Sequence, residues 1–132
     1  MNFHGSILLV DDEPHIRKFV SLILKSIGAA ALIEAGDGAA AVEVYQRETP
    51  DLVLLDISMP VMDGLETLRR LREIDPDCVV IMLTSIVNRQ SVDEALTLGA
   101  VAYIRKDTPK EEIARTLVET IDACFEGDEG ES

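Results

Sequence analysis

Five short apolar segments recur along the chain, separated by stretches with a different periodicity. Most of these segments are apolar at nearly every position instead of alternating with polar residues, which is typical of parallel strands covered on both faces. The pattern therefore predicts five buried strands. They are SILLV from Ser6, ALIEA from Ala31, DLVLL from Asp51, CVVIML from Cys78 and AVAYI from Ala100.

The stretches between the strands carry helical patterns. In the first, apolar residues from Ile16 to Ile27 form one helical stripe, Pro14 suits the first turn and Gly28 ends the helix. Similar signals predict four more helices. These signals are caps at Asp37, Asp63 and Thr108, Pro109 at a first helical position, ends at Asp75-Pro76 and Gly99, and a final inner stripe of Ile113, Leu117, Ile121 and Cys124.

Strict alternation of strands and helices with short connections indicates one α/β domain. Each crossover between parallel strands is right-handed and returns beside the sheet, so helices cover both faces. We expect a three-layer α/β sandwich over residues 1–125, with no second domain. Residues 126–132, EGDEGES, are acidic and lack an apolar anchor, which predicts a short disordered tail.

Composition narrows the range of functions. The chain has 25 acidic and 12 basic residues and a net charge of −13, so direct binding to nucleic acid or to an anionic membrane is disfavoured. No apolar run is long enough to cross a bilayer and the first residues lack the features of a signal peptide, so we expect a cytoplasmic protein. Cys78 and Cys124 have no metal-type spacing and are predicted to be two buried, reduced thiols.

Polar residues follow four of the five predicted strands. Asp11 and Asp12 follow the first strand, Asp56 the third and Thr84 the fourth, while Lys106 comes shortly after the fifth. Because the carboxyl ends of parallel strands meet at one edge of the sheet, we expect these side chains to converge in a single crevice.

Three ionised carboxylates in one crevice need a counter-charge. Two carboxylates about 4 Å apart repel by about 4 kcal/mol at an effective dielectric constant of about 20, and Lys106 can neutralise only one of them. An all-oxygen site with few protein ligands suits Mg²⁺, which also binds phosphate oxygens. A carboxylate nucleophile, a metal, an ammonium group and a hydroxyl together predict phosphoryl transfer to an aspartate.

Four sequence blocks on these elements resemble the signature blocks of response regulator receiver domains of two-component systems, the chemotaxis receivers among them. The blocks are VDDE from Val10, LLDISMPVMDG from Leu54, LTS from Leu83 and YIRKD from Tyr103. The resemblance covers the whole predicted domain. It implies a flavodoxin-like (βα)5 fold whose five-stranded parallel sheet has the order 2-1-3-4-5.

The resemblance also implies the acceptor and the metal ligands. Asp56 matches the phosphoacceptor, which also binds Mg²⁺. Asp12 matches a direct Mg²⁺ ligand, and Asp11 a ligand that acts largely through water. The remaining protein ligand would be the backbone carbonyl of Ser58.

Two further roles follow from the same resemblance. Lys106 matches the lysine that binds the phosphoryl group, and Thr84 the hydroxyl that contacts it, so both would assist the reaction at Asp56. Thr84 and Tyr103 would also form the switch pair that responds to phosphorylation.

Two residues depart from the pattern. Asp107 stands where the family usually has proline, which predicts a looser or differently shaped loop. Ile86, two residues after Thr84, stands where some fast-hydrolysing relatives have a polar side chain that orients water.

The resemblance implies a stand-alone receiver that is a phosphoacceptor signalling protein, not an enzyme acting on other substrates. A histidine kinase or a histidine phosphotransfer protein would donate the phosphoryl group, and phosphorylation would change binding to a downstream protein. A homodimer could form through the fourth helix, fifth strand and fifth helix.

Three alternatives stay open. An aspartyl-phosphate phosphohydrolase-like enzyme would carry a DxD pair after the first strand, and a flavodoxin-like cofactor binder would carry a phosphate-binding loop there. A degenerate receiver would work without phosphorylation.

Overall fold

The computed structural model describes residues 5–29, 31–85 and 88–130, with side chains described as far as Phe125. Within these ranges five strands alternate with five helices, as the hydrophobic pattern predicts. The elements are β1 (Ser6–Val10), α1 (Pro14–Ser26), β2 (Ala31–Ala35), α2 (Gly38–Glu48), β3 (Leu52–Leu55), α3 (Gly64–Ile74), β4 (Val80–Thr84), α4 (Arg89–Thr97), β5 (Ala102–Arg105) and α5 (Lys110–Gly130).

The strands form one parallel sheet in the order β2-β1-β3-β4-β5, which confirms the flavodoxin-like topology. In the register, Val10 at the end of β1 pairs with Ala35 on one side and with Leu55 on the other. The order reverses beside β1, since β2 lies on one side of it and β3 on the other. The crevice at the carboxyl ends of β1 and β3 is therefore at the switch point of the topology.

Successive residues of the central strands point to opposite faces, which divides the core into two layers. Leu8 and Val10 pack with side chains of α2, α3 and α4 on one face. Ile7 and Leu9 pack with those of α1 and α5 on the other. Both faces of the sheet are thus covered, and the predicted three-layer sandwich is confirmed.

The caps of two helices are those predicted from the sequence. The carboxylate of Asp37 accepts a hydrogen bond from the N–H of Ala40 at 2.8 Å, and that of Asp63 accepts one from the N–H of Glu66 at 2.9 Å. Each bond satisfies a backbone donor that has no partner within the first turn of its helix. The cap at Asp63 fixes where α3 begins after the loop that follows β3.

The last helix differs from its prediction at both ends. α5 begins at Lys110, one residue after Pro109, whose carbonyl accepts the first helical hydrogen bonds from Glu112 and Ile113. It continues past Phe125 to Gly130, whereas the sequence pattern predicts an irregular segment there. The domain boundary at residue 125 stays a prediction.

The prediction of two buried thiols is right for Cys78 and wrong for Cys124. Both cysteines are free, but Cys124 is exposed. The stripe of Ile113, Leu117 and Ile121 reaches the core, and each of these side chains is almost completely buried. At the next turn it is Phe125 that packs against this core, so Cys124 lies to one side of the buried face of α5.

Gly64 lies against the backbone of Asp56, directly after β3. A Cβ atom at Gly64 would be 2.0 Å from the carbonyl oxygen of Asp56, and the N–H of Gly64 donates to the carbonyl of Ile57 at 2.8 Å. A close approach of two backbones of this kind requires glycine. Gly64 therefore holds the end of β3 against the start of α3.

We expect Gly64→Ala to lower the free energy of unfolding by about 3 kcal/mol or more, because the neighbouring atoms are backbone and cannot turn away. Urea denaturation measures this change. Gly36→Ala is the matched control, since a Cβ there would meet only an arginine nitrogen at 3.5 Å. Equal stabilities of the two variants would contradict the close approach.

Candidate functional site

Three carboxylates meet at the carboxyl edge of the sheet, as the strand ends predict. Asp11, Asp12 and Asp56 each offer an oxygen, and these oxygens lie within 4.8 Å of one another. Asp11 and Asp56 are only 2% exposed, whereas Asp12 reaches solvent. The two buried residues continue the backbone ladder, because Asp11 N–H donates to Ala35 and Asp56 N–H donates to Val10. The sheet itself therefore fixes their positions.

Lys106 joins the two buried carboxylates. Its Nζ lies 2.6 Å from Asp11 Oδ2 and 3.1 Å from Asp56 Oδ2, and its backbone N–H donates to the carbonyl of Thr84 at 3.0 Å. The side chain is largely buried, so solvent screens these ion pairs little. One ammonium group thus bridges residues that follow the first and third strands.

Burial and charge act in opposite directions on Asp56. Burial raises the pKa of Asp56, the hydrogen bond from Thr84 and the charge on Lys106 lower it, the Asp11 carboxylate raises it, and the net direction is upward. For Lys106, burial lowers the pKa, but the hydrogen bond to Asp11 and the charges on Asp56 and Asp11 outweigh it, so the net direction is upward. The lysine is thus held as a cation, while ionised Asp56 still lacks a full counter-charge.

The charge of Asp56 acts on both predicted switch residues, but only Thr84 is shown bonded to its carboxylate. Thr84 is completely buried and its hydroxyl is hydrogen-bonded to Asp56. Tyr103 is half-buried against the core, and burial together with the charge on Asp56 raises the pKa of its phenol. The structure therefore brings Thr84 to Asp56 without a phosphoryl group and leaves Tyr103 partly accessible.

Ser58 lies in the loop between β3 and α3. Its N–H points to Asp56 Oδ1 at 3.4 Å, a long hydrogen bond, and its backbone carbonyl as a metal ligand stays a prediction. Further along this loop, Val61 has a φ of 69° and Met62 N–H donates to the carbonyl of Pro60 at 2.7 Å. A branched residue at positive φ in so tight a turn is strained, and such strain persists only where the surrounding structure imposes it.

An ion pair spans Asp107, one of the two positions where the sequence departs from the family pattern; the other, Ile86, lies outside the described residues. Arg105 Nε and Nη2 donate to the two carboxylate oxygens of Asp107 at 3.0 and 2.7 Å, in a bidentate arrangement. The N–H of Thr108 closes the turn by donating to the carbonyl of Arg105 at 3.2 Å. The chain around Lys106 is thus held by a turn and a two-point ion pair instead of a proline ring.

Two residues of the site were not predicted from the sequence. Glu13 Oε1 lies 3.6 Å from Lys106 Nζ, and Glu13 N–H donates to Asp11 Oδ1 at 2.9 Å. Arg17 donates to the carbonyl of Asp11 at 2.6 Å. Their signal in the sequence is spacing alone, since Glu13 follows the acidic pair and Arg17 comes one helical turn later.

The donor set fits a hard divalent cation. Three carboxylates converge, one of them open to solvent, and the single ammonium group cannot neutralise them all. A small cation that prefers oxygen ligands and retains water, such as Mg²⁺, suits this arrangement. Asp11 and Asp56 already accept hydrogen bonds from Lys106, so Asp12 is the carboxylate most free to bind a cation directly.

The profile of the response regulator receiver domain family matches residues 7–118, a range that contains all the site residues described above. The chain belongs to this family.

Individual relatives agree with the receiver assignment. The chain is 35% identical over 115 residues to the chemotaxis protein CheY of Bacillus subtilis, covering 87% of this chain and 96% of that one. It is also 36% identical over 117 residues to CheY of Halobacterium salinarum. The transcriptional regulatory protein YdfI of Bacillus subtilis is longer, and the match, at 34% identity, spans 56% of it.

Solved receiver structures have the same fold. A CheY-like receiver domain protein from Methanospirillum hungatei superimposes with a TM-score of 0.85 at 26% identity and covers 95% of this chain and 99% of that one. CheY in the CheX-CheY-BeF3-Mg²⁺ complex from Borrelia burgdorferi superimposes with a TM-score of 0.82 at 31% identity, covering 91% and 88%. Among the described residues of this receiver, every helix is too short or too polar to cross a bilayer.

We expect millimolar Mg²⁺ to raise the melting temperature of this receiver, because a ligand that binds only the native state stabilises it by mass action, by about 2.7 kcal/mol at 100 times Kd. Calorimetry measures the shift. Asp12→Ala should lose most of it, whereas Asp63→Ala, which removes only a helix cap, should keep it. A wild-type melting temperature independent of Mg²⁺ would contradict the metal site.

The Mg²⁺ affinity should fall as the pH is lowered, because Asp56 must lose its proton to assist a cation. Because the pKa of Asp56 is shifted upward, the Mg²⁺ affinity should begin to fall at a higher pH than it would with an ordinary aspartate. The same upward shift stabilises the metal-free fold at low pH, and this contribution disappears as pH rises through the folded-state pKa. Calorimetric titration at several pH values checks the direction.

Proposed function

We propose that this protein is a stand-alone receiver that accepts a phosphoryl group on Asp56 from a histidine kinase or a histidine phosphotransfer protein. The observation that supports the proposal most is the shared contact of Lys106 with Asp11 and Asp56 beside the accessible Asp12. A buried carboxylate with an adjacent ammonium group and a cation site is the arrangement that transfer to an aspartate requires.

In the proposed reaction a carboxylate oxygen of Asp56 attacks the phosphorus atom of the donor phosphohistidine. A phosphorus–oxygen bond forms, the phosphorus–nitrogen bond breaks, and the leaving imidazole keeps the electron pair of that bond. Bound Mg²⁺ would neutralise charge on the transferring group. Asp56 needs no general base, because a carboxylate that is ionised has no proton to lose.

Each neighbouring side chain has one role in this proposal. The ammonium group of Lys106, which contacts carboxylates before the reaction, would then contact a phosphoryl oxygen. It would thereby neutralise part of the added negative charge inside the buried site. Asp12, Asp56 and the backbone carbonyl of Ser58 would hold the metal directly, and Asp11 would hold it through water. The hydroxyl of Thr84 turns from the carboxylate to a phosphoryl oxygen.

Output would follow from the switch pair. Thr84 already contacts Asp56, so phosphorylation would strengthen an existing inward position and free space beside β4 for the half-buried ring of Tyr103. The surface of α4, β5 and α5 would change as that ring moves inward. A partner that prefers this surface, or a second copy of the chain, would then bind more tightly, by no more than its differential affinity for the two states.

The family and the charge support the type of partner. Receiver domains take phosphoryl groups from histidine kinases or phosphotransfer proteins, and we propose that this receiver meets such a donor in the cytoplasm. A net charge of −13 disfavours nucleic acid as the direct target, so a protein is proposed as the downstream partner.

The alternatives make different predictions. A phosphohydrolase-like enzyme would turn over added phosphoesters, and a degenerate receiver would bind its partner without modification at Asp56. The complete set of acceptor, acids, lysine and hydroxyl favours the phosphoacceptor over both.

We expect acetyl phosphate or phosphoramidate with Mg²⁺ to add one phosphoryl group to the wild type and none to Asp56→Asn, which lacks the nucleophilic oxygen pair. Intact-mass spectrometry measures the adduct. Asp63→Asn is the matched control, since this acid lies in the same loop and serves as a helix cap. Equal phosphorylation of wild type and Asp56→Asn would disprove the acceptor assignment.

We expect Thr84→Ala to accept the phosphoryl group at Asp56 but to lose the response of α4, β5 and α5, because its hydroxyl connects the acceptor to the switch. NMR amide shifts with and without beryllium fluoride measure that response. In the wild type the shifts should extend from the site to these elements. Shifts confined to the loops around Asp11, Asp56 and Lys106 would contradict the switch assignment.

A further inference from the structure

Arg17 of α1 connects three elements at the acidic end of the sheet. Its Nη1 donates to the backbone carbonyl of Asp11 at 2.6 Å, and its Nε donates to Glu34 Oε1 of β2 at 2.9 Å. The Arg17 side chain is 20% exposed and its bond to the Asp11 carbonyl is partly buried, whereas the Glu34 carboxylate is 49% exposed, so solvent competes mainly for the bond to Glu34. The guanidinium thus holds the loop after β1 and the edge strand β2 together.

All four polar groups of Asp11 have a partner, and the partner of its backbone carbonyl is Arg17. Asp11 N–H donates to the carbonyl of Ala35, Oδ1 accepts from Glu13 N–H and Oδ2 lies against Lys106 Nζ. With the Arg17 bond, both the peptide and the carboxylate of Asp11 are held on all sides. The peptide that Arg17 holds is the one that joins Asp11 to Asp12.

We propose that Arg17 is a positioning residue for the metal site, which sets the orientation of the Asp11–Asp12 peptide and thereby of both carboxylates. The inference rests on the proposed function, because it takes the acidic cluster to be the Mg²⁺ site. Arg17 acts through a backbone carbonyl and does not itself touch the metal.

The proposal and simple electrostatics predict opposite changes in Mg²⁺ affinity when Arg17 is replaced. Arg17 is a cation beside a cation site, so removing its charge without moving any ligand would strengthen Mg²⁺ binding. If Arg17 holds the ligands in place, its removal instead weakens binding, since a group that orients a metal ligand commonly contributes about 10- to 100-fold to affinity. The direction of the change therefore separates the two roles.

The test is the Mg²⁺ affinity of the full chain, measured by isothermal titration calorimetry. We expect Arg17→Met to bind about tenfold more weakly than the wild type and Arg17→Lys to be intermediate. Lys18→Met removes the same charge from the neighbouring exposed position on α1 and should leave binding unchanged or slightly stronger. Circular dichroism melting confirms that each variant is folded at the temperature of the titration.

Two further measurements separate the contacts of Arg17. Glu34→Gln weakens the tether to β2 but keeps the bond to the Asp11 carbonyl, so its Mg²⁺ affinity should stay close to that of the wild type. Without metal, the Glu13 amide, which donates to Asp11 Oδ1, should exchange its hydrogen faster in Arg17→Met than in Lys18→Met.

The outcomes are distinguishable. Equal or tighter Mg²⁺ binding by Arg17→Met would overturn the positioning role and leave the proposed function intact. Weakening by Glu34→Gln as large as that by Arg17→Met would show that the carbonyl contact is not the determinant, and would also overturn it. A wild type that binds no Mg²⁺ would overturn both proposals.

Discussion

The repulsion between the buried carboxylates of Asp11 and Asp56, offset by the single ammonium group of Lys106, is the constraint on which the rest of the site depends. Two negative charges at this depth are tolerated because the lysine lies within 3.1 Å of both. The backbone ladder places all three residues, and the backbone of neither acid can move without breaking a strand-end hydrogen bond. Any further negative charge at Asp56, a phosphoryl group included, therefore requires more positive charge than Lys106 alone supplies.

The sequence predicted the fold because the hydrophobic periodicity and the tertiary structure agree. Each apolar run became a strand, and each stripe became a helix facing the sheet. The predictions fail at positions where the hydrophobic periodicity does not show which part of the protein a side chain faces. Cys124 and Phe125 both have a spacing that suits the inner face of α5, but Phe125 packs against the core and the Cys124 thiol is exposed.

The candidate site was predictable for residues at strand ends and not for those that reach it from helices and turns. Parallel topology alone brings together the residues that lie at a strand end or within two residues of one, which are Asp11, Asp12, Asp56, Thr84 and Lys106. Arg17 contacts the site through a backbone carbonyl, and a backbone acceptor leaves no trace in the amino-acid pattern. The ion pair of Arg105 and Asp107 likewise depends on the geometry of one turn, although the missing proline marked the position.

The wide separation in sequence between Asp11 and Lys106 has a consequence for how the protein is made. During synthesis β1 and β3 emerge first, so the acidic cluster can form at their ends before the strand that leads to Lys106 has left the ribosome. β5 pairs with β4 and closes the sheet last in chain order. The incomplete chain therefore carries these two acids, Asp11 and Asp56, without their cation. Arrival of β5 supplies both the final edge of the sheet and the charge that the centre lacks, which ties completion of the fold to completion of the site.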